Sequence, residues 1–226
     1  ASSNDDLAQA ANVKPITNLI DYNLVPGKIT SETTLKKLQS KVWKLSNGAR
    51  VIYKYVPEAK GRFFFAGSSI GGKSVVPATE LANYTAMRSL LMQSGVYNYN
   101  RNQLAQWLQG KDLNLSLSLE DYSDGIGGSA AVANVDDFFG YLHLVLSKQN
   151  FSKAAFDKYI QRSVYLYDNR PLSGMEAVQD SIRQLLYPVS ALNPRQDEKF
   201  FHSMQYDQLA EQFQKHLGDA SGFTYC

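Results

Sequence analysis

Asn47 and Gly48 stand between two runs rich in β-branched and aromatic residues, KVWKLS and ARVIYKYV. Asn-Gly is the strongest short signal for a β-hairpin, because both residues tolerate the positive φ angles that tight hairpin turns need. The run RFFFAGSSI comes shortly after and predicts a third strand. Strands joined by connections this short pair antiparallel. This part of the chain therefore predicts an antiparallel sheet.

The rest of the chain predicts helices around one further pair of strands. LNLSLSLE alternates strictly from Leu113 to Leu119, which indicates a half-buried strand. DGIGGSAAVA is its expected partner, with glycines that suggest a bulge or a close backbone approach. GFTYC predicts the last strand. The expected helices are ATELANYTAMRSLLMQS, QLAQWLQ with Asn100 as cap and Gly110 as stop, NVDDFFGYLHLVLSK with Asn134 as cap, FDKYIQRSVYLYDN, MEAVQDSIRQLLY between Ser173 and Pro188, and QYDQLAEQFQKHLGD. The order of elements predicts an α+β class: an antiparallel sheet flanked by helices.

Residues 1–40 differ in character from the remainder of the chain. DDLAQAANV predicts a short helix, and Pro15, Pro26 and Gly27 then punctuate a partly polar segment. We therefore expect a leader or inter-domain linker over 1–40, with regular structure beginning near Lys41 and one α+β domain over 41–226. The chain stops within the run GFTYC, so we expect this domain to be truncated within its last strand.

Composition excludes several classes of partner and site. The net charge of +2 comes without a basic cluster, so nucleic acid is not an expected partner. No run of about 18 apolar residues is present, so no membrane span is predicted. Cys226 is the single cysteine, which rules out an internal disulfide and a cysteine zinc site.

The stretch GSSIGGKS, from Gly67 to Ser74, matches the phosphate-loop spelling G-x-x-x-x-G-K-S. That loop needs a helix beginning at the Gly-Lys, because the helix N-terminus helps to hold the phosphates. Val75 and Val76 are β-branched, and Pro77 falls where the first helical turn would close. No buried strand ends in an Asp suited to Mg²⁺. We therefore interpret the stretch as a glycine-rich strand end, and a nucleotide-binding enzyme remains only a third alternative.

The titratable residues provide few other candidates for a site. The three histidines, His143, His202 and His216, do not pair at helical spacing. His143 lies in the apolar helix YLHLVL, where a hydrogen-bonded packing role is expected, and His216 lies in a last helical turn, where the dipole favours a cation. Glu120, Asp121 and Asp124 cluster at a strand connection, and solvated turn acids are expected there rather than an acid/base pair.

Several of these stretches, in this order, resemble the pitrilysin/insulinase-type zinc peptidases (peptidase family M16). PGKI at Pro26 to Ile29 resembles the connector between the two halves of such proteins. VWKLSNGARVIYK resembles their W-x-L-x-N-G-x-x-V opening hairpin, and FFFAGSSIGGKS resembles the next strand, which ends in Gly-Gly-x-Ser. The resemblance continues through LLMQSGV, LAQWLQGKDLNLSLSLEDYSDGIGGSAA, FGYLHLVLSKQNFSKAAFDKY and DASGFTYC. It implies the first domain of the C-terminal half of a long bacterial chain, with the fold shared by LuxS and mitochondrial processing peptidase.

The resemblance also implies where zinc ligands would stand. Catalytic relatives carry His-x-x-Glu-His on the helix after that strand. Aligning Gly95 with the glycine that comes after this motif places Ala86, Ser89 and Leu90 at its three positions. The further glutamate ligand would fall in KYIQRSVYLYDN, which contains no glutamate. We therefore expect no catalytic residue, metal or cofactor in this chain, with zinc in another domain of the parent protein.

The function that the resemblance implies is structural. We expect a metal-free domain that helps to enclose peptides in a zinc metallopeptidase and is not an enzyme by itself. The alternative is a non-catalytic adaptor protein of the same fold. The expected partners are other domains of the parent chain and peptide substrates, with weak self-association of the domain alone. A periplasmic or cell-envelope location is what the resemblance suggests.

Overall fold

The computed structural model describes residues 14–169, 174–187, 189–190 and 192–226. The described strands are β1 (Ile29–Leu35), β2 (Ser40–Leu45), β3 (Arg50–Lys54), β4 (Arg62–Ile70), β5 (Gly95–Val96), β6 (Leu113–Leu119), β7 (Ser123–Ala131), β8 (Gln149–Asn150) and β9 (Thr224–Tyr225). The described helices are α1 (Leu81–Gln93), α2 (Arg101–Leu108), α3 (Val135–Ser147), α4 (Lys153–Asp168), α5 (Gly174–Leu186), α6 (Glu198–His202) and α7 (Tyr206–Phe213). A π-helical turn, Gln214–Gly218, continues α7. The helix predicted before residue 14 and the predicted roles of Ser173 and Pro188 lie outside the described residues.

The predicted hairpin is confirmed. β2 and β3 pair antiparallel, with Val42 opposite Ile52. Leu45 donates its backbone N–H to the carbonyl of Ala49, so three residues form the loop, and Gly48 takes a φ of 89°. This is the three-residue hairpin loop in which a left-handed residue lets the strands keep their twist.

A seven-stranded sheet, in the order β1-β2-β3-β9-β4-β7-β6, carries the fold. All its neighbours pair antiparallel except β3 and β9, which run parallel. The last strand therefore lies inside the sheet, between β3 and β4. Thr224 and Tyr225 are thus paired on both sides, so the truncation expected within the last strand does not make β9 an edge of the sheet.

Regular structure begins earlier than predicted. Strand β1 starts at Ile29 and pairs with β2 at one edge of the sheet. Further upstream, Leu19 is buried, and Ile16, Ile20 and Tyr22 pack against the core. The run after Ile29 is rich in threonine, which favours an extended strand. The strand was not predicted because the segment as a whole is polar and lacks an apolar alternation. A domain boundary at residue 40 stays a prediction.

The core lies between one face of the sheet and the helices. Leu117 is buried, and the other alternating leucines of β6 pack against the same core, as the sequence predicts. Phe138 of α3 reaches the sheet at Gly128 of β7, where a Cβ would lie 2.5 Å from the Phe138 ring. The glycines of β7 therefore serve close approach, and the register with β6 and β4 continues without a bulge. The α+β class is confirmed.

Two of the three predicted helix-end residues considered next act as expected, and one does not. Asn100 forms a complete capping box with Gln103, and Gly110 takes a φ of 80° after α2, so both predictions are confirmed. Asn134 precedes α3, but its side chain makes no capping hydrogen bond, so that prediction is wrong. A 3-10 turn, Val132–Asn134, leads directly into the helix and leaves Asn134 outside the extended geometry that a cap requires. None of the described helices has the length and hydropathy needed to cross a membrane.

Candidate functional site

The phosphate-loop spelling covers the end of β4 and a 3-10 turn, Gly72–Val75. The next helix, α1, begins only at Leu81, after Pro77, as the sequence predicts. Gly72 has a φ of 55°, and a Cβ there would lie 2.4 Å from the carbonyl oxygen of Glu120. The second glycine of the spelling is therefore required by contact with the β6–β7 connection.

Lys73 is engaged within the protein. Its Nζ donates to Asp121 Oδ1 at 2.7 Å and to the backbone carbonyl of Leu192 at 2.9 Å. An open cleft of about 820 Å³ lies beside this ion pair, and its wall continues over Tyr122, Ile182 and Leu186. Because the lysine charge is already matched by a carboxylate, the cleft does not present a free cation to a phosphate.

The three residues that the resemblance aligns with a zinc motif, Ala86, Ser89 and Leu90, lie on α1. Ala86 and Leu90 are buried in the core, and Ser89 is exposed on the opposite side of the helix. A catalytic zinc site needs about three nitrogen, sulfur or carboxylate ligands and an open position for water. Methyl and isobutyl side chains provide no such donors, so these residues do not fit a zinc ion. Across the described parts of the chain, no group of three His, Cys, Asp or Glu side chains is arranged to hold a metal.

A buried polar cluster joins α1 to β7 and to the π-helical turn. The Tyr84 hydroxyl donates to Asp124 Oδ1 at 2.6 Å, and His216 Nδ1 lies 3.7 Å from Asp124 Oδ2. The Tyr84 and His216 rings meet edge to face, with centroids 5.0 Å apart. Tyr84 and Asp124 are only 2% and 3% exposed. We call these three residues the Tyr-Asp-His cluster.

The prediction for the three acids of the strand connection is partly wrong. Glu120 and Asp121 are exposed, as expected of turn acids, but Asp124 is buried on the core face of β7. The reason is the strand alternation, since Asp124 shares its face with Ile126 and lies opposite Leu119. The buried carboxylate is stabilised by partners from α1 and from the turn after α7.

The hydrogen bond between Tyr84 and Asp124 is maintained at physiological pH. Burial, then the hydrogen bond to Asp124 and its charge, raise the pKa of Tyr84 well above its ordinary value. The hydroxyl therefore remains a donor at physiological pH. His216 Nε2 is buried and has no hydrogen-bond partner among the described residues. Sequence reasoning missed this cluster and placed His216 only by its helix end.

The other two histidines lie outside the Tyr-Asp-His cluster. His143 is half-buried, and its Nε2 lies 2.9 Å from the Tyr22 hydroxyl, which confirms the expected packing role. Burial, and then the charge of Lys148, lower the pKa of His143. His202 is exposed on α6 and lies 3.8 Å from Glu198. The structure brings none of the three histidines together.

Comparison with known proteins points to one group of proteases. No protein-family model matches the chain. A curated relative, Probable zinc protease PqqL of Haemophilus influenzae, is 20% identical over 212 residues, which are 94% of this chain and 23% of that protein. The chain thus spans about a quarter of the length of this relative.

Solved structures agree on the fold. The ferredoxin protease FusC, in complex with Arabidopsis ferredoxin, matches with a TM-score of 0.74 at 20% identity, over 95% of this chain and 23% of that one. The periplasmic protease PqqL from Escherichia coli matches with a TM-score of 0.74 at 15% identity, over 100% and 26%. A peptidase M16 inactive domain from Pseudomonas fluorescens matches with a TM-score of 0.58 at 16% identity, over 78% and 43%.

These likenesses cover nearly the whole of this chain and a minor part of each relative, and the helix-flanked sheet is what they share. The resemblance drawn from the sequence is therefore confirmed: the chain has the fold of the pitrilysin-like M16 peptidases and matches one part of a longer protein of that kind.

Proposed function

We propose that this chain is a metal-free structural part of a longer M16-type zinc metallopeptidase, in which it helps to enclose peptide substrates. The observation that carries the proposal is the side chains of Ala86, Ser89 and Leu90 on α1, which the resemblance aligns with a zinc motif and which include no imidazole or carboxylate. The fold is that of the family, and the residues that would perform its chemistry are absent from those positions. The domain extent of 41–226, with a linker over 1–40, belongs to the same proposal, in which the linker contributes β1 to the edge of the domain's sheet.

The relatives support this function in coarse outline. Two of them are named as proteases, and each is about four times as long as this chain. A third is named as an inactive domain of peptidase M16. The zinc ion would then be held by another domain of the longer protein, and that domain would be the principal partner. The periplasmic protease from Escherichia coli supports a periplasmic location.

The physical role would be enclosure. Walls that close around a peptide exclude water and hold the scissile bond near the metal, so they raise the rate without touching the reacting atoms. A single wall buries too little of a peptide to offset the ordering of its backbone. The chain alone should therefore bind unfolded peptides only feebly.

The first test concerns the chemistry of the chain itself. After dialysis with zinc and removal of free metal, elemental analysis should find far less than one zinc per chain, and a fluorogenic peptide should remain intact. Ser89→Glu should not create activity, because the neighbouring positions still lack imidazoles. Stoichiometric zinc accompanied by hydrolysis would overturn the proposal.

The second test separates enclosure from the adaptor alternative. The segment that carries the zinc motif in the longer protein is produced separately and assayed with and without this chain and the remaining segments. Enclosure predicts that addition restores cleavage of long peptides much more than cleavage of short ones. Full activity on long peptides without this chain would favour the adaptor.

A further inference from the structure

One face of the sheet stays open to solvent over the strands that form the opening hairpin. On the other face, Val51 packs against the core and Tyr225 belongs to it. Arg50 and Thr224 each precede one of these residues, so strand alternation places them on the open face. Lys44 is paired with Arg50 and therefore shares that face. The side chains of Lys44, Arg50 and Thr224 are all exposed.

Two cations stand directly opposite each other on this open face. The pairing of Lys44 with Arg50 brings their Cβ atoms to about 5 Å, and like charges in such a pair destabilise a sheet. The neighbours on either side, Ser31 on β1 and Thr224 on β9, carry hydroxyls and no charge. Among the described residues, neither cation has a carboxylate within ion-pair distance. We call Ser31, Lys44, Arg50 and Thr224 the basic rung.

The surrounding sequence does not offset this charge. Residues 28–62 contain nine lysines and arginines and two glutamates, although the whole chain has a net charge of only +2. One of the two glutamates, Glu32, is paired with Trp43 and so lies on the other face, where it accepts hydrogen bonds from Lys41 and Trp43. Lys44 and Arg50 are six residues apart in the sequence, so only the closed hairpin brings them together. The basic rung is therefore a concentration of positive charge that the fold creates.

The next pair on the same face distinguishes between kinds of anion. Val42 and Ile52 lie opposite each other, two residues further along β2 and β3, and both are half-buried. Alternate side chains of an extended peptide are about 7 Å apart, as are these two pairs of residues. A nucleic acid strand carries a charge on every nucleotide and would place phosphates over the apolar pair. An extended peptide can instead place an acid over the basic rung and an apolar side chain over Val42 and Ile52.

We propose that the basic rung binds an acidic side chain of an extended peptide, whose residue two positions away packs on Val42 and Ile52. The carboxylate accepts hydrogen bonds from the ammonium of Lys44 and the guanidinium of Arg50, and its charge offsets the repulsion between these two cations. The hydroxyls of the basic rung provide further donors on either side. This inference rests on the proposed function and deepens it, because it names acidic peptides as the class that this wall receives.

The test is an NMR titration of the isotopically labelled chain with two peptides at millimolar concentration. The first is acetyl-Thr-Asp-Thr-Val-Thr-amide, and the second has asparagine in place of the aspartate. The acidic peptide should shift the amide signals of Lys44 and Arg50 and leave those of α1 unchanged. The asparagine peptide should bind about fivefold more weakly, which is the scale of an exposed ion pair. Salt at about 1 M should remove this difference, because it shortens the screening length to about 3 Å.

Lys44→Gln and Lys37→Gln serve as a matched pair. Both remove one charge from residues 28–62, but Lys37 lies in the 3-10 turn Lys36–Leu38, beyond the opposite end of β2. Lys44→Gln should weaken binding of the acidic peptide to the level of the asparagine peptide, whereas Lys37→Gln should not change it. Lys44→Gln should also raise the urea midpoint of unfolding, because the repulsion between Lys44 and Arg50 is removed.

Three results would overturn the proposal. Equal binding of the two peptides, or no shift at Lys44 and Arg50, would show that the basic rung does not select acids. Enclosure would still stand, since it is tested by cleavage in the reconstituted protein. A lower urea midpoint for Lys44→Gln would show that Lys44 stabilises the hairpin and is not held at a cost. A thymidine oligonucleotide that shifts the same amides at lower concentration than the acidic peptide would assign the basic rung to nucleic acid.

Discussion

Asp124 is the one acidic side chain that is buried among the described residues. It lies inside the protein on the core face of a strand, with a tyrosine hydroxyl at 2.6 Å and an imidazole nitrogen at 3.7 Å. Burying a polar group is unfavourable unless hydrogen bonds replace those it made with water. The neighbouring Asp121 pairs with Lys73 at 2.7 Å, close to the 2.6 Å between Asp124 and Tyr84, but Asp121 lies at the surface, where water screens the ion pair. The two acids therefore allow the effect of burial to be isolated.

We expect Asp124→Ala to lower the free energy of unfolding by about 2–3 kcal/mol, because it leaves the buried Tyr84 hydroxyl without its acceptor. Asp121→Ala should cost at most about 1 kcal/mol, as exposed ion pairs do. Urea unfolding followed by circular dichroism measures both. Equal losses for the two variants would show that the Tyr-Asp-His cluster does not stabilise the fold.

His143 should make stability depend on pH. Its folded-state pKa is lowered by burial and by Lys148, so the unfolded chain binds the proton more readily. Stability is therefore fully present above the unfolded pKa of about 6.5 and declines as the pH falls below it. His143→Gln keeps a polar side chain and should reduce this decline between neutral and mildly acidic pH. If the urea midpoints of the wild-type chain and of His143→Gln decrease by the same amount between neutral and mildly acidic pH, the assignment to His143 is wrong.

At the scale of elements, the insertion of β9 into the sheet depends on a glycine. Gly67 lies opposite Tyr225, and a Cβ at Gly67 would stand 2.6 Å from the tyrosine ring. The first glycine of the phosphate-loop spelling is therefore explained by strand packing. Both of its key glycines, this one and Gly72, serve contacts with neighbouring backbone or rings.

We expect Gly67→Ala to destabilise the protein by about 1–3 kcal/mol, since an overpacked contact must displace Tyr225 or the strand. Gly222→Ala is the matched control, because nothing lies within 4 Å of its added methyl group. Hydrogen exchange of the Cys226 amide, which bonds Ala66, reports whether β9 has detached. Unchanged exchange and unfolding in Gly67→Ala would show that the sheet adapts without loss.

Local elements were predictable where the signal and its target lie close in sequence. Asn100 caps α2 through Gln103, three residues away, and Gly48 closes a loop between adjacent strands. Asp124 was misjudged because its partner Tyr84 is 40 residues away, and only the fold brings the two together. The place of β9 was unpredictable for a similar reason, since two residues carry too little pattern to select neighbours. The zinc-motif positions came from the resemblance, as buried alanine and leucine carry no chemical signal of their own.

At the scale of the whole molecule, apolar surface is concentrated on α5. Five of its large apolar side chains are between 50% and 84% exposed: Met175, Val178, Ile182, Leu185 and Leu186. Large exposed apolar patches mark interaction surfaces or promote association. Tyr122, across the cleft beside Lys73, extends this surface. If another domain covers it in a longer protein, the chain by itself leaves it open to a second copy.

We therefore expect weak self-association of the chain through α5. Leu185 is 84% exposed, and Leu185→Glu places a charge that must be desolvated when two such surfaces meet, so it should weaken association at least about tenfold. Gln179→Glu adds the same charge at a polar residue of the same helix and should have a smaller effect. Sedimentation velocity across a concentration series gives the dissociation constants, and an apolar dye reports the exposed surface. A wild-type chain that remains monomeric at millimolar concentration without binding dye would contradict the prediction, as would equal effects of the two substitutions, because charge alone would then explain the result.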